Sequence, residues 1–194
     1  MRGISLAILL LPILVLPDRA AAQRAFVGVG IGADHVSRSG SGESAVRPSL
    51  GVRAGVGVSR AVSILLDATA HGLGDEEPRL DDYQAGHFVR VPEVVRTDAV
   101  VLGVQVEVAP GVYVRPEAGV SRHSFASYLI SGAAVAAEIS HEIGGTAGVS
   151  AGYRMRAGSA VDVAIEASAG WSAGEDSSSG RTLFGIRVVP TIRL

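Results

Sequence analysis

The stretch VVLGVQVEVAPGVYVRPEAGVSR, residues 100–122, contains two arms of alternating residues on either side of a Pro-Gly pair. Every second residue of each arm is mostly aliphatic, and the residues between include Gln105, Glu107, Arg115 and Glu117. A period of two is typical of a β-strand, whose successive side chains point to opposite faces. Since Pro-Gly is a turn signal, the stretch predicts a β-hairpin with one apolar face and one charged face. Which face meets water decides the class of protein.

The same period of two recurs from residue 25 to the end of the chain. It predicts eight strands, at residues 25–35, 48–58, 61–71, 98–109, 112–122, 145–156, 160–171 and 181–192. At about 11 residues each, they are longer than the roughly 5–6 residues of an average strand. They match the roughly 9–11 residues with which a tilted strand crosses a bilayer.

The connections between the predicted strands alternate in length. Short turns follow the second, fourth and sixth strands, and longer segments follow the others, at residues 36–47, 72–97, 123–144 and 172–180. Antiparallel neighbours need only a short turn, and eight such strands can close on themselves. The pattern therefore predicts an all-β fold over residues 23–194, an eight-stranded antiparallel up-and-down barrel with both termini at the end of the short turns.

Residues 1–22 have the features of a cleavable signal peptide. Arg2 precedes an apolar run, which three alanines separate from Gln23. The run is shorter than the roughly 20 residues of a spanning helix, and Pro12 and Pro17 interrupt it. We therefore predict export, with cleavage before Gln23.

The composition excludes several kinds of protein and site. The chain has no cysteine, so it forms neither disulfides nor cysteine metal sites. Its formal net charge of -2 gives no electrostatic basis for binding nucleic acid. All 17 basic residues are arginines, whose planar guanidinium groups suit bidentate pairing with carboxylates.

One face of the predicted strands is apolar throughout, and the other carries charge and glycine. In a soluble barrel the apolar face would line the interior, whereas in a membrane barrel it meets lipid. Three features favour the membrane barrel. Glycines on the charged face make room for large side chains inside a narrow barrel, and the acids and bases there nearly balance, as buried charges must. The apolar face is mostly valine and alanine, thin material for a soluble core but adequate against lipid.

We therefore predict a transmembrane barrel whose lumen is filled by an ion-pair network. Its predicted members are Arg53, Asp67, Gln105, Glu107, Arg115, Glu117, Arg154, Arg156, Asp162, Glu166 and Arg187. A network that pairs acids with bases across a narrow lumen plugs it, so the protein should conduct ions poorly.

With a cleavable signal, eight strands, turns that alternate with long loops and an interior of arginines and carboxylates, the chain resembles the small eight-stranded outer-membrane proteins of the OmpA/OmpX type. The resemblance covers residues 23–194 and is architectural. It implies a Gram-negative-type outer membrane, contact with the lipid bilayer and insertion by the barrel-assembly machinery. The chain departs from the family pattern at its end, where Leu194 replaces the usual aromatic residue.

Long loops in a compact domain are usually functional. We expect a monomer with a structural role, or one in surface interaction, with an extracellular ligand held by loops 72–97 and 123–144. One alternative is a secreted, soluble, lipocalin-like barrel that binds an apolar ligand.

A second alternative is a lipid-modifying outer-membrane enzyme, because His123 lies close to Ser121 and Ser124. In the predicted register, however, Ser121 and His123 face inward and not towards lipid. All five histidines fall at the long-loop end, and none has the spacing of a metal motif. We therefore predict solvated histidines at the rim, with no catalytic residue, no metal and no cofactor.

Overall fold

A computed structural model describes residues 24–38, 44–72, 93–131, 134–173 and 180–194. These residues form eight strands, β1 (Ala25–Arg38), β2 (Ser44–Gly57), β3 (Val62–His71), β4 (Glu93–Ala109), β5 (Val112–Ser131), β6 (Ala134–Arg156), β7 (Val161–Ser172) and β8 (Arg181–Arg193). Among the described residues, no helix has the length and apolar character needed to cross a membrane. The predicted signal peptide, residues 1–22, lies outside the described residues.

The strands close into a single antiparallel barrel in chain order. β8 returns to pair with β1, from Phe26 opposite Arg193 to Arg38 opposite Arg181. Closure leaves no strand with a row of unpaired backbone groups, which is the condition for a sheet that contacts lipid. The predicted eight-stranded antiparallel barrel is confirmed.

The short connections all lie at one end of the barrel, which we call the turn end. The chain reverses between β2 and β3 with a hydrogen bond from the Val58 amide to the Val62 carbonyl at 2.8 Å. Between β4 and β5 it reverses at Gly111, whose φ of 78° falls in the left-handed region that favours glycine. The opposite end, where the predicted long connections lie, is called the loop end.

The structure corrects the predicted loop 123–144. β5 continues to Ser131 and β6 begins at Ala134, and the two strands pair without a register shift from Val112–Tyr153 to Ser131–Ala134. The predicted strand ends at Arg122, because the strict alternation of apolar and polar residues stops there. Beyond the apolar band both faces of a strand meet water, so a ladder continues there without alternation. The predicted loop 72–97 is shorter as well, because β4 starts at Glu93, and residues 73–92 lie outside the described part of the chain.

Two prolines lie well inside strands, where each lacks the amide that a ladder uses. Pro116 of β5 pairs with Val149 of β6, and the ladder to β4 on its other side lacks the two pairs between Gly103–Glu117 and Val106–Val114. Pro190 of β8 falls in a similar gap in the ladder to β1, between Gly28–Thr191 and Ile31–Val188. In each case the missing donor thus interrupts one ladder locally, without a bulge at that point.

The apolar face of the strands points outward, as the alternation predicts. Its side chains are exposed around the barrel, with Ile31 62%, Leu102 57% and Ile186 64% accessible. The residues between them point into the lumen and are buried, and most of the large ones are polar or charged. The barrel is therefore apolar outside and polar inside.

Candidate functional site in the barrel interior

Arg53 of β2 lies at the centre of the interior, between two carboxylates. Its Nη2 atom donates to Asp67 Oδ2 of β3 at 2.6 Å. Its two terminal nitrogens also donate to the two carboxylate oxygens of Glu166 of β7, at 2.5 and 2.7 Å. This two-point arrangement is the geometry in which arginine binds carboxylates most strongly.

Arg115 of β5 is fully buried and also contacts Glu166. Its Nη1 atom lies 3.1 Å from Glu166 Oε1, and its Nε atom donates to Glu117 Oε2 at 2.8 Å. The third nitrogen, Nη2, donates to the Ser150 hydroxyl at 3.1 Å. The Tyr113 hydroxyl also donates to Glu166, so this carboxylate joins three side chains.

Arg187 of β8 completes the set. Its Nη1 atom donates to the Thr69 hydroxyl at 2.9 Å and lies 3.7 Å from Asp67 Oδ1. We call the connected residues the central charge layer: Arg53, Asp67, Arg115, Glu117, Glu166 and Arg187. Three guanidinium groups face three carboxylates, so the layer is neutral, as charges removed from water must be.

Glycines make room for the large side chains of this layer. A Cβ atom on Gly103 would lie 2.9 Å from Arg115 Cδ, and one on Gly152 would lie 2.6 Å from the Tyr113 hydroxyl. Both distances are shorter than a non-bonded contact allows. The glycine-rich interior face and the bulky charged residues are thus parts of one packing arrangement.

The other five predicted network residues lie nearer the turn end and do not join the central charge layer. Glu107 pairs with Arg154 at 2.6 Å, and Asp162 pairs with Arg193 at 3.4 Å. Gln105 is buried, whereas Arg156 is exposed. All of these residues except Glu107 line an interior cavity of about 720 Å³, and Glu107 contacts the lining residue Arg154. The cavity reaches from Tyr113 and Arg53 to the turns. We call it the turn-end cavity.

A second group of polar residues fills the interior towards the loop end, and we call it the upper polar layer. In it the His123 ring nitrogen Nε2 lies 2.8 Å from Ser172 Oγ and 3.1 Å from Ser121 Oγ. The other ring nitrogen, Nδ1, lies 3.1 Å from Thr97 Oγ1. Asp34 accepts a 2.8 Å contact from the His71 ring in the same layer.

The upper polar layer corrects the prediction that the histidines are solvated. His123 is only 1% exposed, and His71 is mostly buried against Asp34, whereas His35 and His141 are exposed. Ser121 and His123 do face inward, as predicted, so the alternation already carried the signal. His87 lies outside the described residues, and the described ones contain no group of three metal-binding side chains.

On the outer surface, charge returns immediately above the apolar side chains at the loop end. Asp98 accepts hydrogen bonds from Arg96 Nε at 2.7 Å and from Arg122 Nη2 at 2.6 Å. Both arginines are about half exposed, at 49% and 52%. The next outward positions towards the turn end are Val100 and Val120, which pair with each other across β4 and β5. This ion-pair cluster therefore marks an edge of the apolar band.

No protein-family model and no curated protein sequence matches the chain. The barrel superposes on Neisserial surface protein A with a TM-score of 0.59 at 13% identity, covering 88% of this chain and 97% of that one. It superposes on Ail, the attachment invasion locus protein of Yersinia pestis, with a TM-score of 0.57 at 11% identity, covering 89% and 99%. Ail has also been solved with the heparin analogue sucrose octasulfate (TM-score 0.55, 12% identity, covering 89% and 99%). The chain thus has the fold of the small eight-stranded outer-membrane β-barrels.

Proposed function

We propose that the protein is an integral outer-membrane barrel with a plugged lumen, which acts as a structural or surface-interaction protein. The observation that carries the proposal is the inside-out arrangement of the side chains. Aliphatic side chains surround the outside, and charged side chains are buried within. In water the outer face would leave a continuous apolar surface far larger than soluble monomers expose.

The central charge layer supports the plugged lumen. Its six residues come from β2, β3, β5, β7 and β8, so side chains from five strands meet across the lumen. They separate the turn-end cavity from a small pocket of about 60 Å³ beside the upper polar layer. A hydrated ion that crosses the barrel has to break these ion pairs.

Planar-bilayer recordings test the plug. We expect no steady open channel from the wild type, because ion-paired side chains from five strands meet across the lumen. Arg115→Ala combined with Glu166→Ala removes one charge of each sign and opens space, so this variant should show discrete conducting events. Large, steady openings from the wild type would overturn the plug.

The extended β5–β6 hairpin supports a role at the cell surface. β4 stops pairing with β5 at Ala126, and β7 stops pairing with β6 at Thr146. The remainder of the hairpin, to Ser131 and Ala134, is a two-stranded ribbon beyond the closed barrel. We propose that both termini lie in the periplasm, so that the hairpin projects outside the cell and offers a platform for a ligand. Ail, which shares this fold, is named the attachment invasion locus protein and was solved with the heparin analogue sucrose octasulfate.

A lipid-modifying activity is the second candidate, since His123 contacts two serine hydroxyls. Two observations weigh against it. Ser121, His123 and Ser172 are all buried inside the barrel, where acyl chains in the bilayer do not reach. The Nδ1 atom of His123 contacts the Thr97 hydroxyl, whereas a catalytic histidine is usually oriented by an acid at that position. We therefore favour a non-enzymatic barrel, and loss of lipid modification in a His123→Ala variant would decide for the enzyme.

A further inference from the structure

The turn-end cavity has a closed inner end and an open mouth. Its inner end is formed by Arg53, a member of the central charge layer, and by Tyr113, which donates a hydrogen bond to Glu166 of that layer. Exposed residues at the turn end surround its mouth, including Ser59 and Arg60 of a short turn and Arg156, the last residue of β6. A volume of about 720 Å³ is in the range of sites that enclose a small molecule.

The side chains around this cavity carry an excess of positive charge. Arg53 is neutralised in the central charge layer, but five further arginines line the cavity: Arg24, Arg60, Arg154, Arg156 and Arg193. Only two carboxylates face them, Glu107 beside Arg154 and Asp162 beside Arg193. Within the described part of the chain, no carboxylate lies within 4.0 Å of Arg24, Arg60 or Arg156.

This local imbalance contrasts with the neutral layer above it. The whole chain carries a formal net charge of -2, so the excess at the turn end is not a property of the overall composition. Like charges that face one concave space raise the concentration of a counter-ion there. Arginine forks bind the oxygens of phosphate and carboxylate groups in pairs.

We propose that the turn-end cavity binds a small, soluble polyanion that carries phosphate groups. Several arginines directed at one space suit a ligand with several charged groups, and the buried Gln105 and the Ser63 hydroxyl line the same wall. The cavity lies inside the barrel and its mouth is at the turn end, among exposed residues, so the ligand enters from solution. In the orientation proposed above, that solution is the periplasm, but the binding itself does not depend on the orientation.

Isothermal titration of the folded full barrel with tripolyphosphate, in zwitterionic micelles at low ionic strength, tests the proposal. We expect saturable binding by the wild type. Arg60→Gln with Arg156→Gln removes two unpaired charges at the mouth and should weaken binding at least tenfold. The matched control, Arg96→Gln with Arg122→Gln, removes two arginines from the outer surface at the loop end and should leave the affinity within twofold.

Absence of saturable heat with the wild type would overturn the proposal. An equal loss of affinity in the control would overturn it too, because binding would then follow net charge and not the cavity. A third arm adds phosphatidylglycerol to the micelles. Affinity should stay unchanged if the ligand is a soluble anion, and competition by this lipid would contradict that assignment. Unboiled gel migration of each variant verifies that the barrel is folded.

Discussion

Glu166 accepts more side-chain hydrogen bonds than any other carboxylate of the described interior. It accepts hydrogen bonds from Arg53, Arg115 and Tyr113, which approach it from two other strands. Its side chain is fully buried, so water could not take over its hydrogen bonds to the two guanidinium groups if the carboxylate were removed. Removing its charge would leave the central charge layer with three guanidinium groups and only two carboxylates.

Replacing Glu166 by glutamine leaves a buried positive charge without its partner. Because breaking a buried ion pair from one side costs about 3–5 kcal/mol, we expect the free energy of unfolding to fall by roughly that amount. Guanidinium unfolding of the refolded barrel in micelles measures it. Glu107→Gln is the control, since its pair with Arg154 is partly exposed and should contribute less than about 1 kcal/mol. Equal losses in both variants would contradict a buried, balanced layer.

The alternation of the sequence predicts which side chains face inward, but not how deep they lie. It places Arg53 and Arg156 on the same face, yet the first is in the central charge layer and the second is at the exposed mouth. Depth depends on the stagger between neighbouring strands, which only the pairing register fixes. The same missing information led to the prediction of a solvated His123, which is buried beside Ser172.

At the scale of the element, the eight strands follow from alternation, whereas their upper ends do not. Within the bilayer a strand has one face against lipid and one against the lumen, so its sequence must alternate. Beyond the bilayer the strands are held by backbone pairing alone, which does not require alternation. The sequence between His123 and Gly144 therefore has no period of two from which the strands could be predicted. Pro116 and Pro190 lie inside strands although each lacks a ladder donor. The alternation of the strand and the closure of the barrel outweigh the local gap in one ladder.

The extended hairpin is tested by hydrogen exchange. We expect the amides that cross-link β5 and β6 beyond the barrel, such as those around Leu129 and Ala136, to exchange more slowly than the amide of Arg60, which makes no hydrogen bond within the described turn after β2. The reason is that paired amides must open before they exchange, whereas the Arg60 amide is already accessible. Exchange as fast as that of Arg60 throughout residues 125–140 would contradict a paired ribbon there.

At the scale of the whole molecule, the barrel is a closed shell with three interior levels. A neutral charge layer lies in the middle, hydrogen-bonded histidines and serines lie towards the loop end, and a cationic cavity lies at the turn end. The lipocalin-like alternative requires an apolar interior, whereas the described interior is polar. The sequence alone leaves open whether the apolar or the charged face of the strands lines the barrel interior. The structure places the charged face in the lumen and the apolar face outside.

Trp171, the only tryptophan of the chain, reports directly on what surrounds the barrel. It lies on the outward face at the loop end of β7 and is 51% exposed. In vesicles, lipids brominated close to the headgroups should quench its fluorescence, and lipids brominated deep in the acyl chains should quench it less. Trp171→Phe with Leu102→Trp moves the reporter into the apolar band and should reverse that order. Quenching of both tryptophans by aqueous acrylamide, with no effect of either brominated lipid, would contradict a barrel whose apolar face meets the membrane.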